Sequence, residues 1–465
     1  MKSIHHRGKN PGTNIVSGTG KSRGTKNRRA AAALIIFLIS AGSVISQDWP
    51  QYLGPQRNGT SPQKGILRSW PAKGPEILWT ANIGIGYGGT VVRDGRVYLL
   101  DRDDRTGDRL RCFDLSSGRE LWSVGYDAPG TVQFPGSRSV PAIDGNRIYT
   151  CGPYGHLYCI DINTRKPLWN KNIWTDFGGG EIPRWAISQC PLVYGNLLIV
   201  ASQAPEAGVV AYDKLSGSVR WTTASLGPVG YVSPALLKAG TQDHVVMITA
   251  SAGRGPSASG GKVAGIDPLT GKILWEYDKW QCGIPVPCAI DAGEGRVLIT
   301  GGYQAGAAML KISRKSDGSF EVTELFKNPD FGAHTQPPVL HNGYFYAQYS
   351  TNERKDGLVC MSMDGQVKWS TRRSPAFDKG GMILAEGLLL STDGSNRLYL
   401  IQPDPSAFRA LASAEILSPG GTGTENDPVA SRVGGATQNW APLALSDGRL
   451  IIRDQKRLIC VRVAK

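Results

Sequence analysis

Four stretches of this chain close with the same punctuation: Asp114…Gly118…Trp122, Asp161…Arg165…Trp169, Asp213…Gly217…Trp221 and Asp267…Gly271…Trp275. In each the Asp stands eight residues before the Trp, and the tryptophans recur every 47 to 54 residues. A short apolar strand, a glycine-bearing hairpin and further strands precede each of them, and with its weaker copies the unit occurs eight times. A unit this small cannot bury its own apolar face and must stack on its neighbours. The spacing therefore predicts an all-β ring, an eight-bladed β-propeller of four-stranded antiparallel blades.

Each unit opens with a small or polar residue, often followed by Pro, that leads into an apolar strand: Ser139-Val140-Pro141-Ala142, Gln189-Cys190-Pro191-Leu192, Ser233-Pro234-Ala235-Leu236, Gln336-Pro337-Pro338-Val339 and Trp440-Ala441-Pro442-Leu443. A turn such as Asp94-Gly95, Asp144-Gly145, Asn342-Gly343 or Asp447-Gly448 follows, and these dipeptides are strong hairpin signals. The Asp at the end of the third strand accepts bonds from the turn it starts, and the Trp on the fourth strand offers a large face to the neighbouring sheet. Weaker copies keep the rhythm with other residues. Phe326 stands in the Trp place of unit five, Trp369 follows a shortened Asp364-Gly365 turn, and unit seven ends near Leu417 without an aromatic. The last unit stops at Arg457-Leu458-Ile459-Cys460-Val461, whereas Glu76-Ile77-Leu78-Trp79 has no unit of its own. Residues 76–81 are thus expected to complete the final sheet and close the ring.

Glycine occurs 59 times in 465 residues, well above the ~7% usual for globular chains, as tight turns in every blade require. The glycine- and serine-rich stretches 251–262 and 418–437 fall inside units and read as long rim loops. Residues 1–46 are of a different kind. Residues 1–29 hold eight Lys or Arg, two His and no acid, and residues 30–45 are mostly apolar and end in small side chains. That order is the layout of a secretory signal cut near Gln47, so residues 47–465 are expected as the propeller, in the periplasm or secreted. An uncleaved N-terminal anchor is the alternative, and the only route by which the chain meets a membrane. Removing the eight basic leader residues from the formal +14 leaves +6, with no basic stripe interleaved with aromatics, so no nucleic-acid partner is expected.

Cys112, Cys159, Cys360 and Cys460 fall in third strands, in a slot that holds Ala211 and Gly265 in other units, and read as small core residues. Cys151 and Cys159 lie across one hairpin from each other, but pairing is not deducible from the sequence. Of the histidines after the leader, His156 and His341 are expected at the surface and His244 half exposed; none has metal or nucleophile spacing.

The motif Asp-x-x-[Ser/Thr]-Gly-x-x-x-Trp resembles the pyrroloquinoline-quinone (PQQ) type propeller repeat, shared by quinoprotein dehydrogenases and by the outer-membrane assembly-factor propeller lipoprotein. The run Asp48-Trp49-Pro50-Gln51-Tyr52-Leu53-Gly54-Pro55 is similar to the start of secreted PQQ-like propellers common in planctomycetes, with Leu53 where that pattern has Arg. The resemblance covers about residues 48–465. For a dehydrogenase it implies PQQ on the axis beside calcium, a carboxylate base and, in many members, a disulfide between adjacent cysteines. This chain has no adjacent cysteines and no clear Glu, Asn and Asp set in its strand openings. The expectation is a non-catalytic binding or scaffold protein of the cell envelope without cofactor; a PQQ- and calcium-dependent dehydrogenase of alcohols or sugars is the alternative.

The residues just before the innermost strands converge on the axis only if the ring closes. They include Gln189, Gln281, Gln336, Gln438 and Asn439, and among them Arg138, Arg184, Trp185, His334, Lys379 and Trp440 are the candidate ligand-binding set. Cations beside aromatic faces suit a small anionic ligand or an acidic peptide of an envelope partner.

Overall fold

A computed structural model describes residues 18, 20, 47–253, 258–350, 354–417 and 438–465. The expected leader, apart from Gly18 and Gly20, residues 254–257 of the first glycine-rich loop and all of the second lie outside the described residues. Eight sheets of antiparallel hairpin-linked strands follow one another along the chain, and within each repeat unit the first strand is innermost. The innermost strands are Thr90–Arg93, Ala142–Asp144, Leu192–Tyr194, Ala235–Ala239, Ile290–Gly293, Val339–His341, Met382–Ala385 and Ala444–Ser446, in blades 1 to 8. The first and the last of these pack side by side, so the ring is closed.

Closure comes from the strand the repeats leave over. Ile77–Asn82 pairs antiparallel with Arg457–Arg462 and forms the outer edge of blade 8, Trp79 facing Cys460. Blade 7 departs from the four-strand expectation. Thr60–Ser61 adds to its axis-facing edge as a fifth, parallel strand.

The repeat tryptophans are cross-strand partners of the small slot. Trp122 faces Cys112, Trp169 faces Cys159, Trp221 faces Ala211, Trp275 faces Gly265 and Trp369 faces Cys360. Each indole needs room on the opposite strand: a Cβ added to Gly265 would stand 2.0 Å from the Trp275 ring. Where the aromatic shrinks, its partner grows, with Met309 opposite Phe326 and Leu400 opposite Ala412. The indoles also tie blade to blade. Trp79, Trp169 and Trp221 donate to the carbonyls of Leu115, Lys214 and Pro268, each just after the turn Asp of the following blade. Trp122 instead meets Arg165, which takes the turn's left-handed place (φ 63°) and sets its guanidinium 6.0 Å from the ring.

All eight cysteines are buried free thiols; Cys151 faces Leu157 and Cys159 faces Tyr149 across the hairpin strands, so the two do not pair. Two histidine expectations need correction. His244 is fully buried, not half exposed: its Nδ1 accepts from Trp275 Nε1 at 2.9 Å and Phe320 packs edge-on against its ring. His156 is half-buried in a strand against Tyr126 rather than solvated. Both were misjudged because the sequence shows the strand but not which neighbouring aromatic covers it.

Candidate functional site

Innermost strands are short, so their two ends define the two ends of the axis, ~10–17 Å apart at ~3.3 Å per residue. One end is crossed by the chain's own N-terminal segment. Trp49, 1% exposed, exchanges backbone bonds with Val92 at 2.9 Å in blade 1, and Pro50 accepts from Ile143 N of blade 2 at 2.8 Å. Buried Tyr52 and Leu53 follow, and Arg57 reaches the carbonyls of Pro191 (3.1 Å) and Pro234 (2.9 Å) at the openings of blades 3 and 4. Gly59 O then accepts from Leu384 N of blade 7 at 2.9 Å. Gln63 bonds Gly448 N in the first turn of blade 8, and Asp48 bonds Asp94 N in that of blade 1. The segment's ends are thus tied to hairpin turns, at Asp94 and Gly448, while the Arg57 side chain reaches along the axis to the strand openings.

The candidate residues stand at the opposite end, ahead of the same strands. Trp440 is the centre of one group. Tyr87 stacks on it at 5.4 Å and 27°, Phe134 lies 6.1 Å away, and Lys379 Nζ sits 4.7 Å from the ring centroid. Its backbone carbonyl accepts from Gln336 Nε2 at 2.9 Å, and Tyr87 OH donates to Gln438 at 2.6 Å. A second group holds Arg184 over Trp185 at 5.2 Å, with Trp185 edge-on to Tyr231 at 5.5 Å. Arg138 and Gln133 join the two. Arg138 donates to the carbonyls of Phe134 at 2.6 Å and of Gly136 at 3.1 Å, and Gln133 Oε1 accepts from Arg184 at 3.2 Å. A third group is His334, its Nδ1 donating to Ser350 O at 2.9 Å and its ring edge-on to Tyr303 at 4.8 Å. These side chains come from the connections into blades 1, 2, 3, 4, 6, 7 and 8 and from one loop of blade 5.

The electrostatics follow from partial burial. Desolvation pulls the Arg138 guanidinium down to about 10, still cationic at neutral pH, and Tyr87 opposes that shift. Lys379 is lowered by burial, against the pull of Asp378, which binds its ammonium at 2.7 Å. His334 is pushed down to about 4, first by burial and then by the Lys379 charge, so it is a neutral donor at pH 7. Lys379 is thus paired with a carboxylate, whereas among the described residues the hydrogen bonds of Arg138 and Arg184 go to neutral acceptors.

Tyr87, Phe134, Tyr231 and Tyr303 were not among the sequence candidates. Tyr87 and Tyr231 stand three and four residues before their innermost strands, as Lys379 and Trp440 do, so the same offset was there to be read. The crossing segment had no such signal, since only contacts reveal it. A separate cleft of 860 Å³ lies on the loops of blades 4 and 5, lined by Trp280, Gln281, Tyr303 and Lys327; it contains none of the six candidate residues.

Calcium does not suit this mouth. Among the described residues no three His, Cys, Asp or Glu side chains gather as ligands, whereas a hard cation takes six or more oxygens. The buried polar atoms left without partners here, Gln189 Nε2 and Asn439 Nδ2, are N–H donors, which serve an anion and not a cation.

Fold and mouth together define a closed eight-bladed propeller of PQQ-type repeats. The family model described as "Outer membrane protein assembly factor BamB" matches residues 106–371, and the chain belongs to that family. A curated relative, outer membrane protein assembly factor BamB of Moranella endobia (strain PCIT), is 23% identical over 361 residues, which is 72% of this chain and 81% of that protein. Among solved structures, BamB of Moraxella catarrhalis aligns over 83% of this chain and 96% of its own (TM-score 0.51, 13% identity). The quinohemoprotein alcohol dehydrogenase of Comamonas testosteroni aligns over 90% and 81% (TM-score 0.57, 13% identity). At such identities these structures share the fold, which serves binding proteins and enzymes alike.

Proposed function

We propose that this chain is an exported, non-catalytic propeller of the cell envelope that holds a protein partner through an acidic segment at the collar-bearing end of its axis. The observation that carries this reading is the collar itself: aromatic and cationic side chains from seven blade connections gather around one end, and among the described residues the hydrogen bonds of Arg138 and Arg184 there go to neutral acceptors. Aromatic faces next to uncompensated guanidinium groups favour a carboxylate-bearing segment over a neutral one. Arg138, Arg184 and Lys379 supply the charge, Trp185 and Trp440 the faces, and neutral His334 a hydrogen bond. The name of the curated relative, an assembly factor, supports a partner-binding role, and the basic-then-apolar order of residues 1–46 supports export. A small anionic ligand with a flat face would use the same collar.

The test is capture from an envelope fraction. Wild-type protein should retain a partner that Arg184→Ala with Lys379→Ala loses by tenfold or more, while the melting temperature stays within a few degrees. Equal capture by the variant would overturn the reading. So would reduction of an artificial acceptor by alcohols or sugars when PQQ and calcium are supplied, which would make the chain a dehydrogenase. N-terminal sequencing that found Met1 retained on a cytosolic protein would refute export.

A further inference from the structure

The end of the axis opposite the collar is only half covered by the N-terminal segment. Main-chain bonds from that segment occupy the inner edges of blades 1, 2 and 7: Trp49 with Val92, Pro50 with Ile143, and Gly59 and Thr60–Ser61 with the strand Met382–Ala385. Among the described residues, the innermost strands of blades 4, 5 and 6 pair only with the second strands of their own sheets, and no further strand lies on their axis-facing edges. Beside them lies a cleft of 470 Å³, walled by Ala235, Leu236, residues 289–293 and Leu340, and on the other side by Gln56, Arg57 and Asn58. Three alanines and Gly293 line it, so a backbone can approach closely.

We propose that this cleft is a docking site for an extended, acidic peptide segment of a partner protein, which adds as a short strand to the free inner edge of blade 5, Ile290–Gly293. Three observations converge on that occupant. The chain already fills the matching edge of blade 7 with its own Thr60–Ser61, so the geometry accepts a strand there. An unpaired strand edge is a main-chain template, the basis of peptide recognition by strand addition. Arg57 supplies the charge preference. Its guanidinium bonds go to the carbonyls of Pro191 and Pro234 and to Gln51, all neutral, and among the described residues it makes no ion pair. The one carboxylate in the wall, Asp291, has both oxygens engaged, by Lys238 N at 3.0 Å and Gly293 N at 2.8 Å. The strand pairs regularly at Ile290 and Asp291 and is bulged before Gly293, so the regular edge sets the added segment at about two to three residues, ~7–10 Å. This site is independent of the collar and stands or falls separately from it.

The experiment uses the mature protein and a fluorescein-labelled, end-capped peptide Val-Glu-Val-Thr-Val, followed by fluorescence anisotropy. Saturable binding is expected, weakened tenfold or more by backbone N-methylation of the peptide and by replacing its Glu with Lys. Arg57→Gln should weaken it to a similar degree and abolish the preference for Glu. Because Arg57 also anchors the crossing segment, Leu236→Glu on the opposite wall is the second variant, expected to weaken binding at an unchanged melting temperature. Arg105→Ala, an exposed side chain outside both sites, should leave binding as it is. Absence of saturable binding, equal affinity of the N-methylated peptide, wild-type affinity in both cleft variants, or loss of binding in Arg105→Ala would each overturn the proposal.

Discussion

Trp169 shows how one residue type serves two interfaces at once. Its indole lies across the strands from Cys159, and its N–H reaches Lys214 O in the next blade at 3.2 Å. Removing it therefore opens a cavity inside blade 2 and cuts a tie to blade 3. Trp169→Ala is expected to cost ~3–5 kcal/mol of unfolding free energy, read from denaturant melts. Gly265→Val should also destabilise, because its Cβ has no space beside Trp275. His334 makes a prediction in pH. Its folded value of about 4 lies below the ~6.5 of an unfolded histidine, so between those values the unfolded chain binds more protons. Stability then falls as pH drops through about 6.5 and the loss is complete below about 4, amounting to roughly 3 kcal/mol at the acid limit. Comparing unfolding at pH 7 and pH 4.5 should show a larger acid loss for wild type than for His334→Gln; equal losses would contradict the assignment.

At the scale of elements, the seam between blades 8 and 1 is held by a strand from early in the chain and by a buried arginine. The strand Ile77–Asn82 joins blade 8 from the chain's other end, and Arg453, 2% exposed, anchors the connection that follows it. Its guanidinium donates to Gly88 O at 2.7 Å and Gly84 O at 3.2 Å and lies 3.6 Å from Asp101, itself paired with Arg111 at 2.9 Å. Removing that cation orphans buried carbonyls and unbalances Asp101. Arg453→Met should cost ~3 kcal/mol or more despite its similar volume, and more than the same change at exposed Arg105. Thermal melts of the two variants distinguish a buried staple from a surface charge.

For the whole molecule, the crossing segment makes the ring more than a sum of stacked blades. Trp49 lies outside every blade yet is buried against the innermost strand of blade 1, and the residues after it touch blades 2, 3, 4 and 7. Trp49→Ala is expected to shift a single unfolding transition to lower denaturant, costing ~3–5 kcal/mol of unfolding free energy. A separate early transition, with the rest of the ring unaffected, would mean that the segment is an accessory and not part of the core.

The blade count, the closing strand and the Trp–small-residue pairs were legible in the sequence because they are periodic: one stacking problem is solved eight times with the same spacing, and each weak copy is located by its neighbours. The end of the axis at which the candidates gather was legible for the same reason, as every one of them precedes an innermost strand. What touches what at that end was not. Tyr87 meets Trp440 across more than 350 residues, Lys379 reaches the same ring, and neither pairing has a local sequence signal. The burial of His244 depends likewise on Trp275 and Phe320, in other strands of its own and the next blade. The crossing of residues 47–61 is the furthest from the sequence's reach. These residues carry no repeat, and their place is set by main-chain bonds to strand edges that exist only after the ring has closed. Local pattern decides what repeats; only the closed tertiary structure decides what fills the middle.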